Sequence, residues 1–166
     1  MTSAPPPPPG WKLQPVIPQS QQQAQDTVVG YLKKTLQGLP AGTMLDATRY
    51  GAAGSTAPCQ DDPTNSDEPP PMEFSTYGDL QLRAGTDLNT TIAKAGDIWK
   101  SWGWYVFERD DFHKPNRFGY APDGYGLQIV ATQPPGYPPT VNGTSPCFSG
   151  DLARDGITVP VTLTGN

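Results

Sequence analysis

Apolar residues recur along this chain at two spacings, and the prolines mark where each spacing can run. Prolines fall in residues 5–18, 40–71 and 115–160 and are absent from 19–39 and 72–114. Proline removes a backbone donor and clashes with the preceding helical turn, so regular structure runs uninterrupted only in the two proline-free windows. In the first window Val28, Val29, Leu32, Leu36 and Leu39 keep one apolar stripe, and Lys33, Lys34 and Gln37 fall off it. That spacing predicts a helix over 20–39, capped by Ser20 or Asp26 and ended by Pro40 and Gly42. In the second window Leu88, Ile92, Ala95, Ile98, Trp99 and Trp102 repeat at helical spacing. This predicts a helix over 87–102, with Asp87 or Thr86 as its cap and Gly103 as the left-handed residue that stops it.

Elsewhere the alternation has a period of two. It predicts strands over 43–50, 72–83, 104–109, 125–132 and 141–148. Gly78, inside the second of these, implies a bulge or a break. Residues 51–71 read as a long loop. Residues 113–124 read as a turn-rich connection, which makes 125–132 the antiparallel return of 104–109. Ile157, Val159, Val161 and Leu163 alternate with polar neighbours, but Pro160 cannot donate to a ladder. Residues 156–166 are therefore an edge strand or a loose C-terminal tail.

The element order is α-β-β-α-β-β-β. It predicts one α+β domain over 20–155, an antiparallel sheet of four to five strands with two helices packed on one face. No Gly-rich strand-to-helix turn supports a doubly wound nucleotide fold. Residues 1–19, with Pro5 to Pro9, read as a disordered proline-rich stalk of polyproline character. The alternative for this segment is a ligand for a proline-recognition domain.

Composition narrows the class. A chain of 166 residues fits one domain. Its 21 prolines and 18 glycines, with 35% hydrophobic and 16% charged residues, exclude a coiled coil, a collagen and a fully disordered polyampholyte. The net charge is −5, and Lys33-Lys34 is the only adjacent basic pair. A nucleic-acid ligand is excluded because no clustered basic footprint exists to displace its counterions. No apolar run approaches the ~18 residues of a membrane span. Met1 leads into Thr2, Ser3, Ala4 and prolines rather than an apolar leader. Either the chain is cytosolic, or a signal or anchor lies upstream of residue 1.

The two cysteines, Cys59 and Cys147, each follow a proline. With His113 as the only histidine, they cannot complete a four-ligand zinc site. A Cys59–Cys147 disulfide would tie the 51–71 loop to the C-terminal strand. Closing a loop of about 88 residues is worth on the order of 4–5 kcal/mol in the chain-entropy view. Such a bridge places the domain outside the cytoplasm; two unpaired thiols would return it to the cytosol.

Candidate chemistry is sparse. A nucleophilic triad would have to use His113 with Asp110 or Asp111, and no serine lies in a nucleophile-elbow context. Glu108 and Asp110, if on a strand, point to one face and suit a paired-carboxylate glycosidase. Asp62, Asn65, Asp67 and Glu68 have the residue types of a calcium loop but lack its glycine and its twelfth-position glutamate. No metal or cofactor is expected. The one local excess is aromatic: nine of the sixteen aromatic residues lie between Trp99 and Tyr125. The core absorbs Trp99, Trp102 and one face of the 104–107 strand. The remainder, with polar neighbours, makes a candidate binding surface of Phe112, His113, Asn116, Arg117, Phe118, Tyr120, Asp123 and Tyr125. Its other reading is a self-packed loop over the sheet edge.

The helix, the "LPAGTML" strand, the Cys59 loop, a strand, the helix ending in glycine, then "WYVFERD", "YGLQIVAT" and "SPCF" follow in that order. Over residues 24–150 this layout resembles the mycobacterial LppA-type cell-envelope lipoproteins. The resemblance implies a disulfide-bridged α+β domain displayed outside the membrane, with no activity to carry over. The chain lacks that family's lipidated cysteine near the N-terminus, so a transmembrane anchor upstream of residue 1 would take its place. The expected function is a non-enzymatic, monomeric binding or accessory module for an envelope protein or glycan. The alternative is a carbohydrate-active hydrolase using Glu108 and Asp110.

Overall fold

The computed structural model describes residues 4–59, 70–132, 137–153 and 159–165. The residues proposed for a calcium loop lie outside them. Helix α1 (Gln21–Gln37) opens where Ser20 Oγ accepts from the Gln23 N–H, so Ser20 and not Asp26 is the cap. Helix α2 (Leu88–Ser101) opens on Asp87, whose carboxylate accepts from the Thr90 N–H at 2.8 Å. Gly103 follows α2 at φ 84°, the left-handed region that a side chain resists.

The strands are β1 (Met44–Asp46), β2 (Gly54–Pro58), β3 (Met72–Gln81), β4 (Tyr105–Phe107), β5 (Asn116–Tyr120), β6 (Gly126–Val130), β7 (Thr140–Thr144) and β8 (Thr162–Thr164). Among the described residues they form one antiparallel sheet of eight strands in the order β4-β5-β6-β7-β3-β1-β8, with β2 also paired to β3. The α+β class and the two helices agree with the sequence reading; the expected four to five strands do not.

Three strands account for the difference, two of them corrections and the third the edge-strand alternative expected within residues 156–166. First, β2 lies inside the segment read as loop. Its Gly-Ser-Thr-Ala-Pro sequence has no apolar alternation, and it forms because the ten-residue β3 is longer than β1 and leaves an edge to pair. Second, β5 lies inside the 113–124 connection. It stands between β4 and β6, so 125–132 returns along β5 and not along 104–109. Third, residues 162–164 of the C-terminal segment are an edge strand on β1, clear of Pro160. The 43–50 strand is also shorter than its pattern: β1 ends at Asp46, and a 3-10 turn covers Thr48–Tyr50. Gly78 makes no break in β3. A Cβ there would come within 2.7 Å of Leu45 Cγ, so the glycine lets β1 close against β3.

Both helices cover the same face of the sheet. Gly119, Leu127 and Gly143 share one cross-strand row. A Cβ on Gly143 would meet Val28 of α1, and one on Gly119 would meet Trp99 of α2 at 2.7 Å. Leu45, Phe74, Leu80, Ile92, Trp99, Leu127, Ile129 and Val141 are buried between the layers. At one end of the sheet Cys59 and Cys147 form a disulfide. It joins the end of β2 to the strand-like segment where Phe148 pairs with Met72. Among the described residues no helix is long and apolar enough to cross a membrane.

The segment read as a stalk is hydrogen-bonded to the domain. Pro9-Gly10 makes a turn in which the Trp11 N–H donates to the Pro8 carbonyl, with Gly10 at φ 81°. Further on, the Gln14 and Val16 N–H groups donate to the carbonyls of Pro122 and Asp123. A polyproline run cannot order itself, but here an aromatic surface on the domain receives it.

Candidate functional site

The helices leave the second face of the sheet uncovered, and register decides which side chains it carries. Tyr105 opposes Tyr120, and Phe107 opposes Phe118. These pairs lie one position off the Val106–Gly119 row that faces the helices, so they point the other way. Tyr105, Phe107 and Tyr120 form a contiguous aromatic floor. Ring centroids are 4.9 Å apart for Tyr105–Phe107, 5.6 Å for Phe107–Tyr120 and 6.2 Å for Tyr105–Tyr120. All three rings are half-buried.

Trp11 supplies a wall. Its ring stands edge-on to Tyr105 at 5.4 Å, and its Nε1–H donates to the Tyr120 carbonyl at 3.0 Å. The Tyr105 hydroxyl donates to the Pro5 carbonyl. Between the N-terminal strap and the floor lies an open groove of about 380 Å³, lined by Ala4, Trp11, Leu13, Tyr105, Phe107 and Tyr120 with the 121–125 turn. The lining is almost wholly apolar, and its size is that of a small ligand site.

One border of this floor is charged. The Arg109 guanidinium pairs with Asp111 at 2.6 Å and donates to the Tyr120 hydroxyl at 3.2 Å. These two partners hold it firmly in its charged form, Asp111 contributing most. The same group lies over the rings of Phe112 and Phe118, about 5 Å from each centroid. Lys114 bridges Asp110 at 2.5 Å and Glu108 at 3.8 Å, and Arg117 reaches Glu108 at 3.4 Å.

The residues picked out from sequence divide into two groups. Tyr120 and Tyr125 line the groove. The others brace it. Asn116 is fully buried: its Oδ1 accepts from the Arg109 N–H, and its Nδ2 donates to the carbonyls of Arg109 and His113. It staples 109–113 down over Phe118, which is buried against Phe112. Asp123 accepts from the Tyr31 hydroxyl at 2.5 Å and from the Tyr125 N–H. Burial, then this bond to Asp123, push the Tyr31 hydroxyl well above the ordinary tyrosine range. The Arg117 stem packs on Gly96 of α2. His113 is exposed in the loop.

Strand β4 ends at Phe107, so strand alternation does not aim Glu108 and Asp110. What joins them is Lys114, and Glu108 also accepts from the Asn116 N–H at 3.2 Å. Sequence reasoning did not say which face of the 104–107 strand enters the core, left Tyr105 and Phe107 out of the candidate surface, and missed Trp11. The available signal was Pro-Gly before a tryptophan: a turn that folds one large aromatic back toward others. No protein-family model, no curated protein and no solved structure matches this chain.

Proposed function

We propose that this chain is an extracytoplasmic binding domain of a bacterial cell envelope, which takes its partner on the aromatic floor of β4 and β5. The observation that carries the reading is the Tyr105–Phe107–Tyr120 cluster. It is a half-buried aromatic patch on the sheet face opposite both helices, beside an apolar groove and bordered by ion pairs. Aromatic residues with an apolar body and a polar tip concentrate at recognition surfaces. The Cys59–Cys147 disulfide supports an oxidising compartment, and the resemblance to LppA-type lipoproteins supports an envelope setting.

A partner bound there is read by shape and by ring faces, with Arg109 and Tyr120 as the polar edge. The test is co-sedimentation of the purified chain with isolated bacterial envelope fractions, comparing wild type with Phe107→Ser. Phe107 lies on the edge strand, so its replacement leaves the core between sheet and helices intact. Binding that is lost in Phe107→Ser supports the reading, and binding that persists unchanged refutes it. The hydrolase reading has its own variant. Glu108→Ala abolishes turnover of envelope glycan if Glu108 and Asp110 are catalytic and leaves binding nearly intact if they are not.

A further inference from the structure

We propose that the groove between the strap and the aromatic floor is a recognition site for proline-rich segments in the polyproline II conformation, and that Pro5–Pro9 of this chain is a tethered competitor for it. The inference rests on the floor being the binding surface and names the chemistry of what binds there.

Three observations lead to it. First, the polar groups that the groove offers are hydroxyl donors. The Tyr105 hydroxyl donates to a backbone carbonyl, that of Pro5. The Tyr120 hydroxyl accepts from Arg109, which leaves its own proton for a further acceptor. Second, of the other lining side chains Ala4, Trp11, Leu13, Phe107 and Ala121 carry no acceptor, and the buried Tyr125 has its hydroxyl engaged with Thr27. An ordinary extended peptide would bury N–H groups there without partners, which is costly. A proline run brings no N–H at all, and its carbonyls lack internal partners because polyproline II has no internal hydrogen bonds. Third, neighbouring rings on the floor stand about 5–6 Å apart. Rings at that spacing touch and present one continuous aromatic surface, and pyrrolidine rings pack on it in the groove beside Trp11, the mode by which aromatic grooves read proline-rich ligands.

The chain's own run is held through its Pro5 carbonyl. Pro5, Pro6 and Pro7 remain exposed while the Pro5 carbonyl is engaged, and about 380 Å³ of the groove stays open beside them. A segment tethered by a few residues acts at an effective concentration of ~1 mM. Against an external ligand, a tethered site of ~0.1 mM intrinsic affinity at that concentration weakens binding by about ten-fold.

The experiment is a titration of the ¹⁵N-labelled full chain with decaproline, followed by amide chemical shifts. Wild type is compared with a variant carrying Pro5→Gly, Pro6→Ser, Pro7→Gly and Pro8→Ser, and with that variant plus Tyr105→Phe. The Pro9-Gly10 turn and Trp11 are retained in all three. The expected result is that the run-replaced variant binds decaproline about ten-fold more tightly than wild type. Its shifts should centre on 105–107, 120–125 and the Trp11 indole, and Tyr105→Phe should weaken the binding several-fold. Absence of shifts in the run-replaced variant at millimolar decaproline overturns the proposal, as does equal affinity in the two chains. If decaproline fails while Phe107→Ser still abolishes envelope binding, the ligand class is wrong and the binding surface stands.

Discussion

Replacing Asn116 tests how the border of the aromatic floor is held. The side chain is fully buried in β5 and makes three short bonds to the segment that folds over it. The Arg109 N–H donates to it at 2.8 Å, and it donates to the Arg109 and His113 carbonyls at 2.9 and 3.1 Å. A net hydrogen bond is worth about 0.5–1.5 kcal/mol, and a buried group left without a partner costs about 1–3 kcal/mol. Asn116→Ala should therefore lose about 3 kcal/mol, which lowers the Tm of a domain this size by about 6–12 °C. Asn116→Asp separates hydrogen bonding from packing. It keeps the volume and the acceptor but removes both Nδ2–H donors and sets a carboxylate against two carbonyl oxygens. It should be at least as destabilising as alanine. Calorimetry gives the Tm, and near-UV circular dichroism reports Phe112, Phe118 and Tyr120 losing their fixed environment. An Asn116→Asp protein within about 2 °C of wild type would refute the assignment of the staple to hydrogen bonds.

Three further outcomes follow from the packing and the charges. Gly119→Ala drives a Cβ to 2.7 Å from Trp99 and should cost about 1–3 kcal/mol in chemical denaturation, whereas Gly30→Ala, exposed in α1 with nothing within 4 Å, should gain about 0.5–1 kcal/mol. Because the folded protein holds the Tyr31 proton more tightly than the unfolded chain, the associated stability is complete below pH ~10 and is lost as pH rises beyond it; Tyr31→Phe should show a shallower alkaline decline in urea titrations, and an unchanged slope contradicts this. Intact mass after alkylation should show no label on the folded chain without reductant and two labels with it, and reduction should remove on the order of 4 kcal/mol of stability; two labels on the unreduced folded chain would contradict the bridge.

The helices were legible because their signals are local. The stripes of Val28, Leu32 and Leu36 and of Ile92, Ala95 and Trp99 repeat at the helical period, and Ser20, Asp87 and Gly103 punctuate them. Strand β5 was not, because its inward-facing positions are Arg117 and Gly119. Glycine is needed there for Trp99 to approach, and the Arg117 stem fills the space over Gly96. Both residues erase the apolar beat by which a strand is recognised. Strand β2 carries no apolar beat at all and exists because β3 has an edge to pair, a non-local cause that no window of sequence contains.

The candidate site was half legible for the same reason. The aromatic excess located its neighbourhood, but only the register of β4 against β5 shows which rings face away from the helices. Phe118 and Tyr125, read as surplus to the core, are buried. Tyr105 and Phe107, on the face of the 104–107 strand that sequence left undecided, form the floor. Trp11 reaches them from nearly a hundred residues away in the chain by way of the Pro9-Gly10 turn, a long-range placement that composition alone cannot give.

Partners that dock on the open face of β4 and β5, as proposed, shield its backbone amides from solvent. The measurement is hydrogen–deuterium exchange of the full chain, with and without detergent-solubilised envelope extract. Docking there should add protection over residues 105–107 and 118–125 and at the 11–16 strap, with α1 and the β1–β8 edge unchanged. Protection confined to the disulfide end of the sheet, at β2 and the start of β3, would contradict it.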